Sequence, residues 1–274
     1  MNRIKQICVP LLALSALLLA GCQSVQTTQP GVVGVTRAQS MLVSSQQINE
    51  SAKKAYAQTL QEAAKKGQLD RDAAQVARVR AIATRLIPPT AAFRADAPGW
   101  QWNVHVISSK EINAWCMPGG KIAVYTGLID TLHVSDDELA AVMGHEIAHA
   151  LREHGRERAS QAMAQGMLIN VVGTAAGLSG LTQDLSKYVL DLTFNLPNSR
   201  QDETEADRIG VELAARAGYD PRAAISLWQK MEKNSGGGSP QFLSTHPANQ
   251  TRIADLRVYS DRVLPLYEAA RSKR

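Results

Sequence analysis

His145-Glu146-Ile147-Ala148-His149 constrains this chain more than any other stretch of it. On a helix, residues four apart lie on one face, one turn from each other. Two imidazoles so placed can bind one zinc ion. The glutamate beside the first histidine can serve as general base toward a water that the metal activates. The surrounding sequence reads as helix. Ser135 precedes Glu138 by three positions, a capping-box pattern, and Asp136 and Asp137 suit the positive end of the helix dipole. Leu139, Val142, Met143 and Ile147 are apolar, so the histidines sit on or beside a face that must pack. Gly155 is the expected stop.

A hydrolytic zinc site takes three protein ligands and an open position, so two histidines are incomplete. The best source of a third is Glu203-Thr204-Glu205-Ala206-Asp207. Glu203 and Asp207 share a helix face and Glu205 points elsewhere. Glu203 suits a direct ligand. Asp207 suits a hydrogen bond to a zinc-bound histidine, which fixes the ring and raises its basicity.

The rest of the chain reads as α+β: a mostly helical, zincin-like domain with a small antiparallel sheet. The helical period over 38–86, carried by Val76, Val79, Ile82 and Leu86, predicts two or three helices ending at Pro88-Pro89. Strands are expected at 100–108, 112–116 and 121–125, with a turn at Pro118-Gly119-Gly120. Segment 166–181 holds four glycines, is short for a membrane span, and is expected to be a hairpin or loop that covers the site or touches lipid. Further helices are predicted over 199–217, after Asp220-Pro221, and over 249–270 with a break or kink at Pro265. A glycine-rich loop is expected over 234–240.

The N-terminus has the layout of a secretory signal: Arg3 and Lys5, a mostly apolar run from Ile7 to Ala20, then Leu19-Ala20-Gly21-Cys22. That ending resembles a bacterial lipobox, which implies cleavage before Cys22 and lipidation of Cys22. Gln23 follows where an aspartate would signal inner-membrane retention. The expectation is therefore a protein on the periplasmic face of the outer membrane, anchored by acyl chains. The domains expected are a signal peptide at 1–21, a flexible tether at 22–37 and a metallopeptidase domain at 38–274. Losing Arg3 and Lys5 lowers the formal charge from +5 to +3, too mild to argue for nucleic acid. Cys116 is left as a lone thiol and reads as a small buried hydrophobe.

Taken together, HExxH, the later Ser-Arg-x-x-Glu-x-Glu-Ala-Asp, Asn113-Ala114-Trp115, Pro118-Gly119-Gly120 and Thr126-Gly127-Leu128 resemble the gluzincin metallopeptidases related to HtpX and the CaaX prenyl-protein protease. Within that family the pattern is most similar to a branch of periplasmic lipoproteins, over about 102–257. The resemblance implies one Zn2+ bound by His145, His149 and Glu203, Glu146 as general base and later acid, and Asp207 behind the ligands. It also implies places for His246 and Arg252 in the catalytic set. It leaves His246 with two roles, oxyanion stabilisation or a fourth ligand that keeps water out. His105, His133 and His154 match no role and read as structural or exposed. The function implied is an endopeptidase acting on unfolded or misassembled envelope polypeptides. The competing reading is a chaperone or assembly factor for outer-membrane proteins with a closed, latent zinc site. A substrate is expected to pair as an extended peptide with an exposed edge at 119–125.

Overall fold

The computed structural model describes residues 23–173, 185–234, 240–247 and 250–272; the side chains of Gln23, of 167–173 and of Gln250 are not described. In chain order the elements are β1 (Gln23–Val25), β2 (Gln39–Met41), α1 (Ser45–Lys65), α2 (Ala73–Leu86), β3 (Asn103–Ile107), β4 (Ala114–Met117), β5 (Lys121–Tyr125) and α3 (Thr126–Leu132). They continue with α4 (Asp136–Leu151), α5 (His154–Gly173), α6 (Leu185–Phe194), α7 (Arg200–Arg216), α8 (Ala223–Lys233), α9 (Gln241–Thr245) and α10 (Gln250–Arg271). The α+β, mostly helical reading holds.

The core is organised around α4. Every residue from Glu138 to Leu151 is buried, as a helix enclosed on all sides requires. Its start is fixed as the sequence implies. Ser135 accepts from the Glu138 N–H, and the Glu138 side chain accepts from the Ser135 N–H. The stop differs from expectation. The helix ends at Leu151, and Glu153 takes a left-handed φ of 53°. Gly155 instead lies inside α5, because the turn at Glu153 restarts the chain at His154.

Helix α7 packs most closely on α4, and two glycines permit it. A Cβ on Gly144 would lie 2.9 Å from the Gly210 carbonyl oxygen. A Cβ on Gly210 would lie 2.8 Å from the His145 nitrogen. The backbones therefore meet without side chains between them, one residue from the first histidine of the motif. On the other side of α4 sits the sheet, with order β3-β5-β4. Strand β4 pairs antiparallel with β5 through the turn at Gly119 and Gly120, both at φ 78°.

The sheet is not wholly antiparallel. β3 pairs parallel with β5, Val104 opposite Ile122. The chain crosses over between β3 and β4, so β5 returns into the gap between them. This removes the expected edge at 119–125. β5 is paired on both sides and buried along its whole length. Among the described residues, the strand next to the metal helix with one unpaired side is β4.

The segment expected as a tether is packed. β1 pairs with β2, Val33 and Val35 are buried in the main core, and Arg37 is ion-paired with Glu157, Asp202 and Glu205. Its polar composition reflects partners inside the protein. Part of the stretch expected as a hairpin or loop, 166–173, continues α5 as helix, while 174–181 lies outside the described residues. The glycine-rich 235–239 also lies outside them. α10 runs through Pro265 as one helix. Among the described residues no helix is long and apolar enough to cross a membrane.

The glycine contact gives a test with two opposed terms. Gly→Ala in a helix gains about 1 kcal/mol of propensity, whereas overpacking a tight core costs roughly 1–3 kcal/mol. At Gly210 the added methyl meets backbone, which cannot rotate away, so the cost wins. Gly210→Ala is expected to lower stability to denaturant and to weaken zinc binding, because α7 must back away. Equal or greater stability with unchanged zinc affinity would show that the close approach is dispensable.

Candidate metal centre

α4 presents His145 and His149 on one face, and α7 presents Glu203 and Asp207 toward them. Ser199 caps α7 by accepting from the Asp202 N–H, so Glu203 lies in the first turn. His145 Nε2 is 3.1 Å from His149 Nε2. Glu203 carboxylate oxygens lie 3.4 Å from the former and 3.3 Å from the latter. His246, just past α9, brings its Nδ1 to 3.2 Å from His145 Nε2 and 2.9 Å from Glu203 Oε1. One donor atom from each of the four residues falls within a 4.8 Å group.

These spacings fit zinc. A tetrahedral ion with bonds of about 2.0–2.1 Å has ligand–ligand edges of roughly 3.3–3.4 Å. The donor set, imidazoles with one carboxylate, is also zinc chemistry. His145, His149 and Glu203 would hold the ion at three corners, and His246 Nδ1 stands at the fourth.

The charges around the donors are arranged to keep Glu203 anionic. Burial opposes its charge, yet His246 and His145 outweigh burial and hold its carboxyl well below the usual range. Burial likewise opposes a charge on His145, but Glu203 and Asp207 win and raise it to about 10 without metal. Burial wins at His149, which is pushed well below an ordinary imidazole and so stays neutral, the form that ligates. Burial also raises Glu146, against the pull of His246 and His145. Glu146 Oε1 is 3.4 Å from His246 Nε2, and the Cys116 backbone N–H supports its carboxylate.

Behind the donors, His145 Nδ1 is 3.0 Å from Asp207 Oδ1. Arg252 lies against two carboxylates of the centre. Its Nε and Nη2 donate to the two Asp207 oxygens, each at 2.7 Å, and its Nη1 lies 2.8 Å from Glu203 Oε2. These contacts join Arg252 to the donor set through its carboxylates and suit a residue that holds the ligand helix in place. His105 is 2.7 Å from Asp70 and His133 is an exposed left-handed helix cap. His154 is different: it is buried and its Nδ1 is 2.9 Å from His149 Nδ1. Its place five residues beyond the motif was the available signal.

The donors open on a cavity of about 70 Å³. A water needs roughly 10–15 Å³, so there is room for a few waters beside the donors. β4 supplies Trp115, Cys116 and Met117 to its wall, and α6 supplies Val189, Leu192 and Thr193. Cys116 is buried and free, and burial pushes its thiol well up, so it is an inert part of the wall.

The sequence model of peptidase family M48 matches residues 73–260, beginning at the start of α2. The mitochondrial metalloendopeptidase OMA1 of Schizosaccharomyces pombe is 38% identical over 155 residues, 56% of this chain and 45% of that protein. OMA1 of Bos taurus is 37% identical over 211 residues, 72% of this chain and 38% of that protein. The beta-barrel assembly-enhancing protease of Escherichia coli K12 is 30% identical over 175 residues, 59% of this chain and 35% of that protein. The alignments thus span less than half the length of these relatives.

Arg252 balances two buried carboxylates, and removing one member of such a set costs about 3–5 kcal/mol. Arg252→Met is expected to destabilise the metal-free protein to urea by that order. Arg252→Lys should recover little, since an ammonium cannot make the paired contacts to Asp207. A loss below about 1 kcal/mol for Arg252→Met, the level of an exposed ion pair, would count against this role.

Proposed function

The chain belongs to peptidase family M48, and on that premise we propose that it is a zinc-dependent endopeptidase held latent by His246. The observation that carries the reading is the donor set on α4 and α7, with Glu146 beside it and His246 Nδ1 at its fourth corner. Bound zinc would polarise the scissile carbonyl and lower the pKa of water. Glu146 takes the proton from the attacking water and passes it to the leaving amine. Its raised pKa suits a group that must hold that proton between the two steps. His246 off the fourth corner would be free to donate to the developing oxyanion.

Two features close the site together. His246 is stacked on Phe242, ring centroids 4.4 Å apart, and α9 is tied to the chain before α7 where the Asn198 N–H donates to the Thr245 carbonyl at 2.9 Å. Helix α6 walls the cavity. Cleavage requires His246 to leave and α6 to give way. A peptide would then lie along the unpaired side of β4, where backbone pairing selects extended chains over particular sequences.

The wider setting is part of the proposal. Leu19-Ala20-Gly21-Cys22 supports lipidation at Cys22 and an outer-membrane anchor facing the periplasm, in residues outside those described. Unfolded or misassembled outer-membrane proteins are the proposed substrates. The name of the E. coli relative, a beta-barrel assembly-enhancing protease, supports that choice. The same closed donor set favours the second reading, a chaperone or assembly factor in which cutting is occasional.

The test is cleavage of unfolded casein by the zinc-loaded mature protein without lipid. Wild type should be nearly silent, and His246→Ala should be faster by about tenfold or more, a barrier change of at least 1.4 kcal/mol. Adding Glu146→Gln to His246→Ala should remove that gain, by roughly 10²–10⁴-fold. A wild type as active as His246→Ala would refute latency. Silence of every variant, with zinc bound and the fold intact, would favour the chaperone reading.

A further inference from the structure

We infer that His154 and Glu205 are positioning residues for His149, and that the N-terminal segment carrying Arg37 completes the zinc site through them. The inference rests on the reading of His149 as a zinc ligand.

His149 directs Nε2 toward the other donors, 3.1 Å from His145 Nε2 and 3.3 Å from Glu203. Its other nitrogen, Nδ1, lies 2.9 Å from His154 Nδ1. The second nitrogen of His154, Nε2, lies 3.2 Å from Glu205 Oε2. One assignment of protons satisfies both links with neutral rings. The carboxylate only accepts, so His154 carries its proton on Nε2 and donates to Glu205. His154 Nδ1 is then a bare acceptor. It receives the Nδ1–H of His149, and that leaves His149 Nε2 with the lone pair a metal needs. The reverse tautomer of His154 would aim one N–H at another, or force His149 into the form that cannot ligate through Nε2. His145 is oriented directly by Asp207; His149 is oriented at one remove by Glu205, with an imidazole between.

The relay works only if Glu205 is held still as the acceptor for His154, and two arginines hold it. Arg152 donates from Nε to Glu205 Oε2 at 2.9 Å, and Arg37 donates from Nε to Oε1 at 2.5 Å. Arg152 is fully buried. Arg37 is held in turn by Glu157, and Gln39 donates to both Glu157 and the Arg152 carbonyl. Arg37, in the link between β1 and β2, therefore clamps a carboxylate two contacts away from a metal ligand. His154 reaches this position because the chain breaks at Glu153. On a continued α4 it would lie off the His149 face.

The test measures zinc affinity by competition with a chromophoric chelator, in the full mature chain. His154→Phe removes both links and should weaken zinc by about 10–100-fold, the usual range for losing such a partner. His154→Gln keeps an acceptor for His149 and a donor for Glu205, and should recover at least half of that logarithmic loss. Glu205→Gln keeps the shape and removes the fixed acceptor, and should weaken zinc in the same direction; it serves if His154→Phe does not fold. Far-UV circular dichroism of the metal-free variants checks the fold. A purely structural His154 would lower thermal stability equally in the Phe and Gln variants and leave zinc affinity unchanged, which would overturn the inference. A wild type that binds no zinc would instead overturn the reading of the site itself.

Discussion

The architecture depends on the approach of two helix backbones at Gly144 and Gly210. Zinc chemistry asks for atoms from α4 and α7 to stand some 3.3–3.4 Å apart. Side chains at the crossing would hold the helices at the more usual 8–10 Å axial separation. With glycine on both sides, a carbonyl of one helix touches the other, and a Cβ at either position would come within 2.9 Å of backbone. The contact falls beside His145, and Asp207 and Glu203 follow one and two turns back along α7 from Gly210. The helices therefore need no long side chains to bring the donors together.

Close packing leaves little water, so charge has to be balanced inside the protein. The centre does this in two sectors. Glu203 and Asp207 face Arg252. Asp202, Glu205 and Glu157 face Arg37, with Arg152 on Glu205. Such networks are costly to bury and add little net stability over an apolar core. Their return is orientation: each imidazole of the HExxH motif has its outer nitrogen committed, one to Asp207 and one to His154. The same shell ties the N-terminal segment to the metal ligands, so the part of the chain nearest Cys22 is also part of the site.

Much of this was legible in the sequence because it is local. The period of four placed His145 with His149 and Glu203 with Asp207, and the capping residues Ser135 and Ser199 marked the starts of both helices. What escaped was decided by contacts distant in sequence. Whether β3 runs parallel or antiparallel to β5 depends on a crossover that composition does not encode. The packing of 23–41 depends on carboxylates more than a hundred residues away. Glu205 was correctly read as pointing away from Glu203, yet its partner lies on α5, reached only through the left-handed turn at Glu153. His154 was the one missed residue with a nearby signal; its sequence left it structural or exposed, and the turn at Glu153 is what buries it against His149.

The central claim is that four side chains from three parts of the chain converge on one ion, with His246 as the group that keeps water out. Zinc K-edge X-ray absorption of the zinc-loaded protein tests it directly, because imidazole rings give a countable outer-shell signal. The account predicts three imidazoles and one carboxylate oxygen in the wild type, falling to two imidazoles in His246→Ala. Two imidazoles with added water oxygens in the wild type, or sulfur scattering from Cys116, would contradict it.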